Sequence, residues 1–466
     1  MLTVKIMKFL GSIRNIIFIS DAYNDSPTKN LTFAAYNCEY KFLFPFIRYL
    51  KKLFRLLLHW TLLILLLLFV WNQTHFQFNQ YWSETWGSAI KIAMQISVVV
   101  MFVVGCGHLG DRRLVDFSLA LVVITLFYGL LNYLQSGTFS LAPIKASLTA
   151  VALLPVVCDT RNLKQFLLLN YWLGLLLIIL STIPLLHFLG WVDLPHESIR
   201  RVGGELGRPD LDPLSFGVFG RTESYAHSGF PRLQGWSSEP LHAAYFVFWT
   251  FACWLLTFPR SGSTLKRIFY WFSLVFILIN LWGLQSSSAW ISGIVIILGS
   301  IALWLVRRFC QQTSNLLWIF TFFVLGPGLL IPFALALIPD MHHLIINESF
   351  FSEGSNWRGK IDFLNLGMGL YSRFSPQLEF MSISHNLLLD LYIRYGYFFL
   401  LPIMLQFFIL FDRASRSRFY CGALAMLVVV IAHTLLIPEA IFIPSGIMFQ
   451  MLVFAAITPL LQNRHN

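Results

Sequence analysis

The sequence predicts an all-α fold, a polytopic integral membrane bundle of about twelve transmembrane helices with two large loops on the outer side. Three observations carry this expectation. Hydrophobic residues fill 57% of the 466 positions and charged residues only 12%, roughly half the charged share of a soluble domain. Apolar runs long enough to cross about 30 Å of hydrocarbon, at about 1.5 Å of rise per residue, recur along the chain. The short connections between those runs alternate between basic and uncharged.

Residues 1–55 form a basic, mixed segment that carries Lys5, Lys8, Arg14, Lys29, Lys41, Arg48, Lys51, Lys52 and Arg55 around a polar run at 21–30. No small-residue cleavage site follows an apolar region, so a signal peptide is not expected. The runs around Ile17 and Phe44 are expected to lie along a membrane face with their cations toward headgroups. Residues 56–466 then form the transmembrane domain. Its spans are expected to centre near Leu65, Val98, Val123, Ala150, Leu176, Phe248, Leu274, Ile296, Leu325, Leu401, Val428 and Phe454.

Charge orients those spans. The first loop after the basic N-terminus has no Lys or Arg; Arg112 and Arg113 follow, then an uncharged turn, then Arg161 and Lys164. Farther on come Arg260, Lys266 and Arg267, then a serine-rich turn, then Arg307 and Arg308, and later Arg413, Arg416, Arg418 and Arg464. All the basic connections fall on one side, which the positive-inside rule makes cytoplasmic, together with both termini. A net charge of +11 is therefore accounted for by orientation, and nucleic acid is not an expected partner. Six scattered cysteines without CxxC or Cys-His spacing predict neither disulfides nor a metal site.

Two connections, about 191–238 and 339–383, are much longer than the rest, and the count puts both outside. Long loops in a compact fold are functional or disordered. The first holds Arg200, Arg201, Arg208, Arg221 and Arg232, the second Arg358, Lys360 and Arg373. Cations outside run against the orientation rule. They are either solvated or face something anionic.

The second loop leads into residues 384–396, where a helix with few charges follows Ser384 and His385. His385 would sit at the water boundary of an apolar bundle, where an imidazole exchanges protons near neutral pH. The plainer alternative is a histidine that donates to a loop carbonyl. Upstream, Ser237 or Ser238 can cap the helix that Glu239 and Pro240 begin, and a carboxylate there suits the helix dipole. Alternatively, Arg232 binds phosphate through its planar donor fork while Glu239 orients or deprotonates a hydroxyl. Asp390 and Arg394, four apart below His385, read as a mutual pair or as support for the site from below.

Arg232, Gly235, Glu239, Pro240 and Ala244, in the pattern RxxGxxxEPxxxA, followed downstream by Ser384, His385, Asn386 and Gly396, resemble the O-antigen ligase and O-antigen polymerase superfamily. The resemblance covers roughly residues 55–460. It implies metal-independent transfer of an undecaprenyl-diphosphate-linked glycan at the periplasmic face of a bacterial inner membrane, with no cofactor. It implies that Arg232 and Arg358 grip the diphosphate and that His385 activates the acceptor; Asn386, Asp390 and Arg394, close by in sequence, are expected to support the site. The Glu-Pro pair resembles polymerases rather than ligases, and ligation of the glycan to a lipid or protein acceptor is the close alternative. Donor and acceptor would both be lipid-linked glycan, with membrane lipids and a chain-length regulator as further partners.

The chain departs from that pattern at two places. Phe399 stands where the superfamily often has glycine, and Ser288 is followed by Ala289 where a Ser-Arg pair is common. Loss of that arginine leaves Arg221 as a substitute phosphate contact. Asp210 and Asp212 mimic a nucleotide-sugar metal motif, but Pro209 and Pro213 mark the stretch as turns. The rival reading is a transporter or lipid flippase, for which twelve spans with Lys91, Asp390 and Arg394 at membrane depth would also suit. Transporters commonly carry internal repeats, and the two halves of this sequence do not correspond.

Overall fold

The computed structural model describes residues 40–71, 84–107, 112–137, 141–198, 213–223, 231–237, 240–259, 263–285 and 444–456, with isolated helical positions between 293 and 430. Its helices are α1 (Tyr40–Trp71), α2 (Glu84–Cys106), α3 (Arg112–Ser136), α4 (Ala142–Ala152), α5 (Leu154–Val157), α6 (Thr160–Phe188), α7 (Pro240–Thr257), α8 (Thr264–Gly283) and α9 (Pro444–Ala456). Between α6 and α7 lie four short strands: β1 (Glu197–Ser198), β2 (Pro213–Ser215), β3 (Arg221–Glu223) and β4 (Arg232–Gly235).

Among the described residues, five helices are long and apolar enough to cross a membrane: Lys52–Trp71, Ser88–Cys106, Leu114–Leu134, Thr160–Phe188 and Thr264–Gly283. They coincide with the spans expected at Leu65, Val98, Val123, Leu176 and Leu274. The helices at Ala150, Phe248 and Phe454 are apolar but shorter. At Ala150 the reason is local: Pro155 brings no N–H to the Val151 carbonyl one turn back, and α4 stops at Ala152. Gly105 of α2 packs onto that carbonyl so closely that any Cβ would collide with it. The span expected near Leu325 lies outside the described residues, and those expected near Ile296, Leu401 and Val428 are described only at isolated helical positions.

Helix α1 is 32 residues long, about 48 Å at the rise of an α-helix. Phe44, expected on a separate interfacial segment, therefore lies on the same unbroken helix as the first span.

Side-chain contacts fix the directions of the helices. His59 of α1 bonds Gln165 of α6, and Trp71 meets Phe246 of α7 and Phe449 of α9 edge-on. Tyr171 of α6 bonds Ser273 of α8 at 2.7 Å, and Asn280 Nδ2 donates to the Ile178 carbonyl at 3.3 Å, so α6 and α8 run parallel. Trp254 of α7 donates to the Tyr270 carbonyl at 2.8 Å, which sets α7 antiparallel to both. Ser118 donates to the Ala150 carbonyl, giving α3 and α4 opposite senses, and Phe117 stacks on Phe454. Thus α1, α3, α6 and α8 rise together while α2, α4, α7 and α9 descend.

Each rising apolar span starts with cations: Lys52 and Arg55, Arg112 and Arg113, Arg161 and Lys164, Lys266 and Arg267. Those cations gather at one end of the bundle. The strands sit at the other.

Candidate functional site

The sequence expectation left residues 191–238 as a loop. The structure instead folds parts of it into a four-stranded antiparallel sheet in the order β1-β2-β3-β4. Its strands are two to four residues long, so hydrogen bonding to neighbours and docking on helix ends hold it rather than strand propensity. β4 is wedged where the last turns of α6 and α8 meet the first turn of α7. Leu233 is fully buried, and a side chain at Gly283 of α8 would run into it.

Glycines make the wedge possible. Gly235 has φ +60 and lies against α6 so tightly that a Cβ would stand 2.8 Å from Ser181 Oγ. Gly220 has φ +93, and its Cβ would stand 2.7 Å from the Gly235 carbonyl oxygen. Both backbones thus need the left-handed region and the missing side chain. Beyond Gly235 the chain turns sharply: Ser237 N–H donates to the Gln234 carbonyl at 3.2 Å and Gln234 Nε2 donates to the Ser237 carbonyl at 3.1 Å. Ser181, Gln234, Ser237 and Asn280 line a small cleft there with Phe246 and Val247 as its apolar wall.

The two described site arginines are brought onto adjacent strands. Arg221 opposes Gly235 and Glu223 opposes Arg232, with an irregularity between Arg221 and Thr222. Cross-strand partners share a face, which puts positions 221, 223 and 232 together and sends Thr222 and Leu233 inward, where both are fully buried. Arg221 is itself 8% exposed. Arg232 is half-buried, and its Nε donates to the Leu284 carbonyl at 3.3 Å, beyond the C-terminus of α8. That contact suits a cation on its own account, because helix C-termini carry partial negative charge. A guanidinium has four further N–H donors on its Nη atoms. The sheet also carries carboxylates: Glu223 stands opposite Arg232, and Glu197 begins a row that runs through Ser215 to Arg221.

Of the motif read from the sequence, Arg232 opens β4, Gly235 closes it, Pro240 begins α7 and Ala244 is buried one turn on. Glu239, Arg358, His385, Asn386, Asp390 and Arg394 lie outside the described residues.

Two histidines that the sequence reading passed over stand at the same end. His187, in the last turn of α6, and His196, just before β1, have ring centroids 4.8 Å apart, and both pack on Phe216 at 5.3 and 5.6 Å. Phe188 also meets Phe216, so this aromatic group is the joint between helix and sheet. An apolar helix ending in His-Phe, with a second histidine after a proline nine residues on, was the only available signal.

The described part of the chain is thus a mostly helical bundle whose apolar helices are compatible with a multi-pass membrane protein, capped at one end by a small arginine-bearing sheet. No protein-family model, curated protein or solved structure matches it.

Proposed function

We propose that the chain is a glycosyltransferase of the O-antigen ligase and polymerase type, which polymerises undecaprenyl-diphosphate-linked oligosaccharide repeats at the periplasmic face of a bacterial inner membrane. In this reading it has about twelve spans with both termini cytoplasmic, and residues 191–238 and 339–383 are its outer loops. The observation that carries the reading is that Arg221 and Arg232 stand on paired strands at the end of the bundle opposite the cationic helix starts. Two guanidinium groups at that end, anchored on a sheet rather than on a solvated loop, suit an anionic ligand at the membrane surface.

Chemically, a lipid diphosphate leaves the anomeric carbon while a sugar hydroxyl attacks it. Arg232 and Arg358, with Arg221 beside them, hold the diphosphate and stabilise the charge that grows on it. One such donor is worth about 2.7–4 kcal/mol of barrier. His385 or Glu239 takes the acceptor proton, and no metal or cofactor is required.

The test uses the full chain purified in detergent with lipid-linked oligosaccharide, products being read as a ladder. Longer lipid-linked products from the wild type, lost in Arg232→Gln, Arg358→Gln and His385→Ala, are expected. Transfer only to a different acceptor would identify a ligase. Activity that needs a sealed compartment would identify a transporter, and normal ladders from all three well-expressed variants would end the enzyme reading.

A further inference from the structure

The backbone of Leu194 touches two imidazoles, one through its N–H and one through its carbonyl. Its N–H donates to Nδ1 of His187 at 3.1 Å, so that nitrogen is bare and the proton of the neutral ring is on Nε2. Its carbonyl lies 3.1 Å from Nδ1 of His196, and a carbonyl only accepts, so here Nδ1 carries the proton, and in the neutral tautomer Nε2 offers a lone pair. Pro195, with its fixed φ, holds the turn that brings His196 back to Leu194. With both rings in these neutral tautomers, one ring carries an Nε2–H donor and the other an Nε2 acceptor, their centroids 4.8 Å apart. Among the described residues neither Nε2 has a hydrogen-bond partner. The His187 side chain is 18% exposed, and His196 is exposed outright, so a ligand can reach both.

A donor–acceptor couple selects its ligand. A phosphate or carboxylate can only accept, and against His196 it would meet a lone pair. A cation would meet the N–H of His187. A hydroxyl both donates and accepts, and neighbouring hydroxyls on one sugar ring can do each in turn. The fully exposed Asp193 carboxylate stands 3.7 Å from His187 Nδ1, but while that nitrogen is bare it has no proton for the carboxylate.

The position agrees with this chemistry. His196 adjoins Glu197, and Glu197, Ser215 and Arg221 form one cross-strand row. Two strand spacings separate Glu197 from Arg221, about 10 Å, which an extended sugar-diphosphate spans.

We propose that His187 and His196 form a sugar-hydroxyl subsite, distinct from the arginines, in which Nε2–H of His187 donates to one hydroxyl and Nε2 of His196 accepts from it or its neighbour. The identity of the ligand rests on the glycan-transfer reading; the donor–acceptor couple does not. No bond is made or broken at this subsite. It binds and orients.

Asparagine is the informative replacement, because its amide can stand in for Nδ1 and keep either contact with Leu194 while removing the Nε2 group. Binding is measured on the full chain in detergent with two probes, lipid-linked oligosaccharide from the source cells and undecaprenyl diphosphate without sugar. His187→Asn and His196→Asn are each expected to weaken the glycolipid about fivefold, the worth of one net hydrogen bond, and to leave the sugarless lipid unchanged. Arg232→Gln weakens both. Glycolipid binding at wild-type strength in both histidine variants, or equal weakening of both probes, overturns the subsite. A wild type that binds the glycolipid by this pattern yet never extends it overturns the polymerase reading and keeps the subsite. A wild type that binds neither probe sinks both. Solid-state NMR of the chain labelled with 15N-histidine gives a readout independent of ligand: opposite tautomers are expected at 187 and 196, and identical ones refute the couple.

Discussion

Arg232 reaches from the first residue of β4 to the carbonyl of Leu284, 3.3 Å away, and so ties the sheet to the C-terminal end of α8. Under the proposed function this gives one residue two separable duties, holding the cap in place through Nε and contacting the diphosphate. Arg232→Gln loses both. Arg232→Lys keeps the charge near the helix end but loses the planar fork. Thermal unfolding in detergent is expected to register about 1–2 kcal/mol lost in Arg232→Gln and less in Arg232→Lys, whereas turnover falls in both. Equal stability in wild type and Arg232→Gln would show that the Leu284 contact contributes nothing.

Gly235 is the residue whose type the packing dictates most strictly. Gly235→Ala places a methyl 2.8 Å from Ser181 Oγ and keeps φ at +60, where an L side chain costs roughly 1–2 kcal/mol. The steric part can be relieved. Ser181→Ala removes the oxygen and leaves only Cβ, 3.5 Å away. A double-mutant cycle is therefore expected to recover the clash but not the conformational cost, leaving about 1–2 kcal/mol of destabilisation in the pair. Full recovery would mean that φ at 235 relaxes on substitution.

The fold was legible where burial in lipid dictates composition. The long helices at Leu65, Val98, Val123, Leu176 and Leu274 announce themselves by apolar length, and Arg161 with Lys164 or Lys266 with Arg267 mark the starts of α6 and α8. The sheet was not legible. Its strands are too short for a period-two pattern, and β4 contains Gly235 because the backbone passes Ser181, a neighbour 54 positions earlier that no local signal names. Arg221 could be read only as a substitute for a missing arginine, since nothing local tells that position 221 faces Gly235 rather than solvent. The histidine couple was hidden for a sharper reason. Its chemistry is set by the peptide of Leu194, and backbone hydrogen bonds leave no trace in residue identity.

At the end of α8, Gln285 has φ 45, the described non-glycine residue with a positive φ. Its N–H donates to the Trp282 carbonyl at 3.2 Å, and Leu284 N–H to that of Asn280 at 2.9 Å, the pattern of a left-handed helix stop that glycine usually fills. Gln285→Gly is expected to raise stability by about 0.5–1 kcal/mol, the left-handed cost less the extra freedom glycine gives the unfolded chain. Gln285→Ala, which keeps a Cβ, should not. If Gln285→Gly is instead destabilised, the glutamine side chain contributes more than its backbone costs, and contact with the Arg232 cap becomes the first place to look.

Inside the bundle, Trp249 Nε1 of α7 donates to Asn170 Oδ1 of α6 at 3.1 Å, while Asn170 Nδ2 donates to the Phe166 carbonyl at 2.8 Å. Both side chains are buried, and the amide bonds at both ends: its oxygen faces the neighbouring helix and its nitrogen the turn behind it. Intuition assigns a large value to such a bond away from water. The reference state argues against that, because a separated helix finds other partners for the same groups, and interhelical hydrogen bonds in membranes average about 0.6 kcal/mol with a ceiling near 1.7. A cycle of Asn170→Leu and Trp249→Phe is expected to return a coupling within that range, since the indole ring also packs on Phe449 at 4.2 Å, a contact that phenylalanine largely keeps. A coupling well above it would mean that these groups find no substitute partner when α6 and α7 separate, as dry lipid would impose, whereas a coupling near zero would mean that water or other polar groups replace the bond in full.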